Sequence, residues 1–319
     1  MPAMHLIIPY AASLSQGYAD ALAALPLPHL QKLLARLTPQ PPDNGDEFSL
    51  SPPHERALAR AWGLNAADGQ APWAALQARQ SGLAAGGSNA WAFITLCHWK
   101  LNTGQVTMSQ LPLPALSDAQ SEALLQDMRP YFEEDGITLH PDGQPGRWLA
   151  QSDLFTGLAS ASTDRVVGRD LAVWMTTGPE AAPLRRLQNE MQMLLYTHPV
   201  NDARETLNLT PVNSFWLHGS GALPAGYQPP AESARPRVID RLKPLALAED
   251  WPAWAQAWKE IDATQLPELL ARASRGEPVQ LTLCGERSSQ CWQAQAQPVW
   301  QKLKGFFASQ PLSVLLEKL

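Results

Sequence analysis

Pro211-Val-Asn-Ser-Phe-Trp-Leu-His-Gly-Ser-Gly221 is the stretch that decides the fold class. Its apolar centre predicts a buried strand, and the small residues at its end predict a tight turn into a loop. An amphipathic helix precedes it, with apolar residues at helical spacing over 184–195, and this helix must end before Pro199. The segment therefore indicates a strand that follows a helix.

Apolar runs elsewhere repeat this alternation. Strands are predicted at 5–8, 91–97 and 279–284, with helices between them and a last helix over 299–307. Such alternation favours an α/β fold with a mainly parallel sheet and helices on both faces. The block 91–180 differs, because it contains a capping box at Ser117 and Gln120 and a hairpin around 141–143. We expect an α/β core of residues 1–90 and 181–319, with 91–180 as an inserted α+β subdomain.

The composition excludes several classes of function. Of the 319 residues 45% are hydrophobic and 17% charged, which is typical of a globular protein. The net charge of −6, with no run of Lys or Arg, argues against nucleic acid and anionic membranes as partners. Three cysteines without a C-x-x-C pair predict reduced thiols. With neither a signal-peptide pattern nor 18 consecutive apolar residues, a cytoplasmic location is expected.

The glycine loop completes no catalytic motif. The order His-Gly-Ser-Gly-Ala over 218–222 lacks the G-x-S-x-G of a nucleophile elbow and the third glycine of a dinucleotide fingerprint. The seven histidines form no H-x-H or H-E-x-x-H pattern, so no zinc site is predicted. Gly219 and Gly221 favour a tight turn, and they also permit the close approach of a ligand or of backbone.

Polar residues are concentrated between 185 and 221. Five of them are expected to line one pocket at the strand's carboxyl end, where open α/β sheets bind ligands: His198, Asn201, Arg204, Asn213 and Trp216. Arg204 would offer a bidentate fork to a carboxylate or phosphate. The alternative is structural, because buried polar side chains must be hydrogen-bonded and nearby loops can supply the partners. The sequence leaves both interpretations open.

With these residues quoted, part of the chain resembles the archaeal-type cofactor-independent phosphoglycerate mutases. Residues 186–201, which end in His198-Pro-Val-Asn201, are followed by Arg204 and the strand 211–221. In that family a helix leads into H-P-x-N, an Arg, and a strand of the form A-N-x-x-W-x-W-G-x-G. The resemblance implies an alkaline-phosphatase-like fold, with a three-layer α/β core and an inserted domain.

The whole chain more closely resembles a bacterial group of mutase-like proteins, the regulatory protein RpfE type. The similar stretches include Ser49-Leu-Ser-Pro-Pro-His-Glu-Arg-Ala-Leu-Ala-Arg60 and Asp164-Arg-Val-Val-Gly-Arg169. Two arginines of the second stretch, Arg165 and Arg169, are further candidates for contact with an anionic ligand.

The metal-binding positions of the resembled mutases hold different residues here. Those enzymes open with a strand ending in D-G-x-G-D, whose Asp binds metal, whereas this chain has Ile8-Pro9-Tyr10. Near their end they carry D-H-S-T-P, and Glu286 and Arg287 occupy its Asp and His positions. A guanidinium about 4 Å from a divalent ion is repelled by roughly 8 kcal/mol at an effective dielectric of 20. These departures imply that the two-metal site is lost.

The favoured hypothesis is therefore a non-catalytic relative of the mutases, acting as a cytosolic regulatory or ligand-sensing protein without a cofactor. Its partner would be a small anionic metabolite or a protein. The competing hypothesis is a phosphoglycerate mutase or phosphoesterase with a rearranged active site, which requires bound Mn, Zn or Mg.

Overall fold

The computed structural model describes residues 3–83, 90–109, 111–176, 178, 181–294 and 312–319. Its strands are β1 (Met4–Ile8), β2 (Thr38–Pro39), β3 (Asp43–Asn44), β4 (Trp91–Cys97), β5 (Trp99–Asn102), β6 (Gln105–Met108), β7 (Thr138–Gln144), β8 (Arg147–Gln151), β9 (Ser214–Gly221), β10 (Arg237–Val238), β11 (Val279–Cys284) and β12 (Ser288–Gln293).

The helices lie between groups of one to three strands. They are α1 (Gln16–Ala23), α2 (Pro28–Leu34), α3 (Pro53–Ala61), α4 (Trp73–Gln80), α5 (Asp118–Glu134), α6 (Thr163–Val166), α7 (Ala182–Tyr196), α8 (Pro199–Thr206), α9 (Lys243–Leu247), α10 (Trp251–Thr264), α11 (Leu266–Ser274) and α12 (Leu312–Leu316). The helix predicted over 299–307 lies outside the described residues. Across the described parts of the chain, no helix is both long and apolar enough to cross a membrane.

The chain forms two compact units. The first contains 1–47, 52–64 and 228–319, and the second contains 48–51 and 65–227. The second unit is thus larger than the predicted insert, because β9 pairs antiparallel with β4 and so joins residues after 180 to those before it. The sequence predicts a strand over 211–217 in the core, but as β9 it lies in the sheet of the second unit. Sequence alternation alone does not specify which sheet a strand enters.

The sheet of the first unit has the order β10-β1-β11-β12-β2, with β3 also paired to β12. Strand β1 is parallel to β10 and β11, with Ile8 opposite Leu283. Strand β12 returns antiparallel after a short turn. The predicted α/β class is confirmed, but the expectation of a mainly parallel sheet is wrong. Its parallel part comprises β10, β1 and β11, whereas β12 is antiparallel to β11, β2 and β3.

One face of this sheet carries the apolar core of the first unit. Leu6, Ile8, Leu281 and Leu283 are fully buried there, in one cluster with apolar residues of α1, α2, α10 and α11. The opposite face is covered along its carboxyl half by α3, whose Ala57 packs with buried residues of β1 and β11. Helices thus pack along the apolar face, whereas α3 covers only part of the opposite face. The polar residues of the sheet lie on this second, partly covered face.

The second unit is built on the antiparallel sheet β7-β8-β4-β9. Helices α5 and α7 supply apolar side chains to one cluster with β4 and β9, while α4 packs on Trp91, Phe93 and Leu149. Strands β7 and β8 form the hairpin that the sequence predicts. Hairpins and a helix layer explain why this part of the sequence has an α+β pattern.

A buried carboxylate fixes the start of α2. This helix has no side-chain cap of its own at Leu27. Asp262 of α10 caps it from a distance, because Oδ1 accepts the Leu30 N–H at 2.8 Å and Oδ2 accepts the His29 N–H at 3.2 Å. The His29 Nδ1 atom is also 2.9 Å from Oδ2. Since Asp262 is only 3% exposed, these bonds tie α2 to α10 inside the core.

We expect Asp262→Ala to lower the free energy of unfolding by about 2–4 kcal/mol, because two N–H donors at a helix start lose their acceptor. Urea unfolding followed by circular dichroism measures the change. Asp20→Ala, on the exposed side of α1, is the matched control and should leave the transition unchanged. Equal effects of the two substitutions would contradict the capping role.

Candidate functional site

The site implied by the mutase resemblance lies where β1 and β11 end side by side. Ile8 is opposite Leu283 in the parallel register. One step further, the Ala11 N–H donates to the Cys284 carbonyl at 2.7 Å. The segments after both strands are therefore neighbours at the carboxyl edge of the sheet. Open α/β sheets bind their ligands at such edges.

The side chains at this edge bond to protein groups. The Ser13 hydroxyl donates to Glu286 Oε1 at 2.6 Å. The Arg287 guanidinium lies 3.2 Å from the Glu47 carboxylate. Pro9 is buried, and its ring has no donor atom for a metal. Of the three positions that bind metal in the resembled mutases, Pro9 thus supplies no ligand, Glu286 supplies a hydrogen-bonded carboxylate, and Arg287 supplies a cation.

This set of groups does not fit a pair of divalent metal ions. Mn, Zn and Mg sites need several carboxylate or imidazole ligands. Arg287 supplies no ligand, and its guanidinium is paired with Glu47, so Glu286 is the one carboxylate that these positions offer to a cation.

The backbone at the end of β1 keeps an unusual conformation. Tyr10 has φ of 52°, in the left-handed region that non-glycine residues seldom adopt. In the resembled D-G-x-G-D motif the residue after the first Asp is glycine, which adopts this region freely. The Tyr10 carbonyl accepts the Trp254 indole N–H at 3.0 Å, and the Tyr10 ring lies 5.7 Å from that of His54. Contacts with Trp254 and His54 therefore hold the turn, although Pro9 stands where the resembled motif has its metal-binding Asp.

In the second unit, Arg204 is a structural brace. Its side chain is fully buried, and its guanidinium donates to the carbonyls of Thr210 (2.8 Å), Pro114 (2.8 Å) and Ala115 (3.5 Å). An anion at this guanidinium would have to displace these carbonyls. The bonds join the end of α8 to a loop almost 90 residues earlier.

His198 and Pro199 begin α8. The His198 Nδ1 atom accepts the Val200 N–H at 3.1 Å, so Nε2 carries the proton that faces Asp127 at 2.9 Å. Pro199 occupies the first helical position, where its missing N–H costs no hydrogen bond. The sequence predicts that Pro199 turns the chain outward and exposes the polar residues after it. Instead it starts a helix in which Asn201 and Arg204 are buried, while Asp202, Glu205 and Thr206 are exposed.

Asn201 joins the end of α7 to the segment before β9. Its amide nitrogen donates to the carbonyls of Leu195 and Val212, both at 2.7 Å. Its oxygen accepts the Val212 N–H at 2.8 Å. Asn201 thus makes three bonds to backbone, as expected of a buried amide in the structural interpretation.

Asn213 and Trp216 lie at the opposite end of β9 from the one predicted. Asn213 precedes the first residue of β9, and its side chain bonds to both the N–H (2.7 Å) and the carbonyl (2.9 Å) of Trp99. The Trp216 indole N–H donates to the Ala161 carbonyl at 2.8 Å. The five predicted pocket residues are therefore distributed along α8 and β9 and bond mainly to backbone. Ligand binding by them stays a prediction.

The two glycines, which the sequence predicts to lie in a loop, lie within β9 and allow protein groups to approach closely. A Cβ at Gly219 (φ 62°) would lie 3.0 Å from the Phe93 ring and 3.2 Å from Trp73 Cβ. A Cβ at Gly221 (φ 139°) would lie 3.2 Å from Pro72 Cβ. Positive φ at both positions explains the choice of glycine.

Arg165 and Arg169 lie in and after α6. Arg165 is 4% exposed, whereas Arg169 is half-buried in the turn that follows. The Arg169 N–H closes this turn on the Val166 carbonyl at 3.1 Å. Their proposed role as anion contacts stays a prediction.

Sequence reasoning missed a polar groove on the first unit's sheet. The groove has a volume of about 450 Å³. It is lined by His5, Gln40, Pro41, Pro42, Asp43, Ala57, Arg60, Ala61, Gln280, Thr282, Ser289, Cys291 and Gln293. The signal was the polar alternation of Gln280 and Thr282 in a strand that is otherwise apolar and buried.

Comparison with known proteins finds a distant structural similarity. No family model and no curated protein matches the chain. A cofactor-independent phosphoglycerate mutase from Thermoplasma acidophilum DSM 1728 is 14% identical, with 99% of this chain and 98% of that chain covered and a TM-score of 0.39. The PH0037 protein from Pyrococcus horikoshii is 11% identical, with 92% and 88% covered and a TM-score of 0.44. Scores this low assign no activity.

We expect Arg204→Ala to lower the free energy of unfolding by on the order of 3 kcal/mol, because three carbonyls lose their donor in a buried setting. Thermal and urea unfolding measure this. Arg186→Ala removes a half-exposed guanidinium that pairs with Asp135 and Glu190, and it should leave the melting temperature close to wild type. If Arg204→Ala instead leaves stability intact and abolishes binding of inorganic phosphate, the bracing role is contradicted.

Protonation of His5 should destabilise the fold. The His5 Nε2 atom lies 2.8 Å from Thr282 Oγ1, and burial lowers the pKa of His5 from 6.5 to about 4. The folded state therefore favours the neutral imidazole. The resulting contribution to the free energy of unfolding is fully present above pH 6.5 and is lost as the pH falls towards 4. Between pH 7 and pH 4, the wild type should lose about 3 kcal/mol more than His5→Gln. Urea unfolding of both proteins measures this difference, and a constant difference contradicts the assignment.

Proposed function

We propose that this chain is a non-catalytic relative of the cofactor-independent phosphoglycerate mutases that acts as a cytosolic, ligand-sensing regulatory protein. The Ser13–Glu286 hydrogen bond at the β1–β11 edge carries this proposal. This hydrogen bond engages Glu286, which is the one carboxylate among the three positions that bind metal in the resembled mutases.

The chemistry of this edge supports the loss of phosphoryl transfer. A two-metal site stabilises both the attacking and the leaving oxygen, and it needs several anionic or neutral ligands to hold the ions. Here a cation that cannot lose its proton, Arg287, takes the place of a neutral histidine. A single substitution at Pro9 would still leave that cation in place.

The left-handed turn at Tyr10 supports descent from a binding fold. Tyr10 keeps a conformation that typically costs about 1–3 kcal/mol for a non-glycine residue. Such strain persists when the surrounding structure over-determines it, here through Trp254 and His54. A turn retained without its metal ligand fits a protein that keeps the architecture and has given up the reaction. An alkaline-phosphatase-like arrangement of three layers is part of this proposal.

The test is to measure metal content and mutase activity on the same preparation. We expect less than one equivalent of Mn, Zn or Mg by elemental analysis and no interconversion of phosphoglycerates. A chelator should leave the melting temperature unchanged, because there is no bound metal to remove. If a metal were bound at 100 times its Kd, its removal would lower the free energy of unfolding by about 2.7 kcal/mol. A cofactor-independent mutase assayed in parallel is the control. Stoichiometric metal, with turnover that the chelator abolishes, favours the enzyme hypothesis and contradicts this one.

A further inference from the structure

The floor of the polar groove is formed by one face of three neighbouring strands. Along β1 and β11, alternate residues point to opposite faces, so Leu6 and Leu281 enter the apolar core while His5 and Gln280 lie on the other face. The pleat therefore separates apolar from polar residues in strands that are otherwise buried.

The register aligns these polar residues in a row. His5 is opposite Gln280 in the parallel pair β1–β11, and Gln280 is opposite Gln293 in the antiparallel pair β11–β12. In the next row, Thr282 is opposite Cys291. An imidazole and two carboxamides thus lie side by side across three strands, and each can both donate and accept hydrogen bonds.

The walls of the groove are held in place by backbone contacts and by prolines. On one side, the Gln40 N–H donates to the Cys291 carbonyl at 2.8 Å, which fixes the segment that continues into Pro41 and Pro42. On the other side, α3 presents the small side chains of Ala57 and Ala61. Proline restricts the backbone, and alanine leaves room, so the cavity is largely pre-formed.

One end of the groove carries an excess of positive charge. Both carboxylate oxygens of Asp43 are taken, Oδ2 by Arg56 at 2.8 Å and Oδ1 by Arg60 at 3.1 Å. The two guanidiniums hold the pKa of Asp43 below its usual value although burial acts in the opposite direction. This group of three has a net charge of +1, and the Arg60 side chain is 49% exposed. The exposed part of Arg60 can bind an anion.

We propose that this groove binds a small organic anion, a carboxylate or a phosphate ester, with its charged group at Arg60 and its polar body along His5, Gln280 and Gln293. A volume of about 450 Å³ lies within the usual range of small-molecule sites, roughly 300–1,000 Å³. The inference rests on the proposed function, because it names the ligand class and the site of the sensing step.

Cys291 provides a reporter inside the groove. It is partly exposed and lines the cavity, whereas Cys97 and Cys284 are both fully buried. Modification of the native protein by a thiol reagent should therefore occur first at Cys291. A ligand that covers the floor will slow this reaction.

The experiment measures the rate at which Ellman's reagent modifies Cys291 in the full chain. The probes are succinate and glycerol 3-phosphate, each at 10 mM, roughly the level that weak probe binding requires. Sodium chloride at equal ionic strength and uncharged glycerol are the controls. At least one probe should slow the reaction about fivefold or more relative to both controls. No slowing by either probe, or equal slowing by sodium chloride, overturns the proposal and indicates a hydrated polar sheet face.

Variants locate the effect. Arg60→Gln should abolish the protection by removing the anion contact, and Gln280→Glu should weaken it by placing a negative charge on the floor. Arg36→Gln, an exposed arginine outside the groove, should keep the protection. Each variant is compared with itself with and without probe, which cancels changes in intrinsic thiol reactivity. Protection that persists in both groove variants overturns the assignment.

The two proposals fail in different ways. Bound metal with mutase turnover contradicts the non-catalytic function while leaving Cys291 protection unaffected. Absence of protection in a protein free of metal and turnover removes this groove as the sensing site and leaves the non-catalytic assignment intact.

Discussion

The parallel pairing of β1 with β11 is the constraint on which the first unit depends. It joins residues more than 270 positions apart, and its register sets Ile8 opposite Leu283. Because parallel strands end at the same edge, this register brings Ser13 and Glu286 within hydrogen-bond distance. The same pairing defines both the apolar face packed on α10 and the polar face that forms the groove. A shift by one residue would exchange these faces, so the register is strongly specified.

The two polar regions of the chain differ in how their groups are satisfied. In the second unit, Arg204 and Asn201 use their donors on backbone carbonyls, which makes them supports for loops. In the first unit, Arg60 is half exposed at the end of a cavity, and the carboxylate beside it is already neutralised by Arg56. The same residue type is a brace in one place and a candidate ligand contact in the other. Burial and available acceptors decide between these roles.

Local features of the fold were predictable from sequence. The capping box at Ser117 and Gln120 is present with both bonds at 3.2 Å, since its partners are three residues apart. The β7–β8 hairpin and the strand β11 follow from alternation and turn residues in the same way. The pairing of β9 with β4 was not predictable, because period and composition do not specify a partner more than 110 residues away. The inward orientation of Arg204 and the groove also depend on long-range contacts.

The proposed function requires that the β1–β11 edge hold no catalytic metal, where Glu286 is engaged by Ser13 and Arg287 supplies a cation. The most direct measurement is anomalous diffraction from crystals grown with excess Mn²⁺. We expect no anomalous peak at this edge and an intact Ser13–Glu286 hydrogen bond. A peak at about 2.0–2.6 Å from the Glu286 carboxylate, the range of metal–oxygen bonds to such ions, would contradict it.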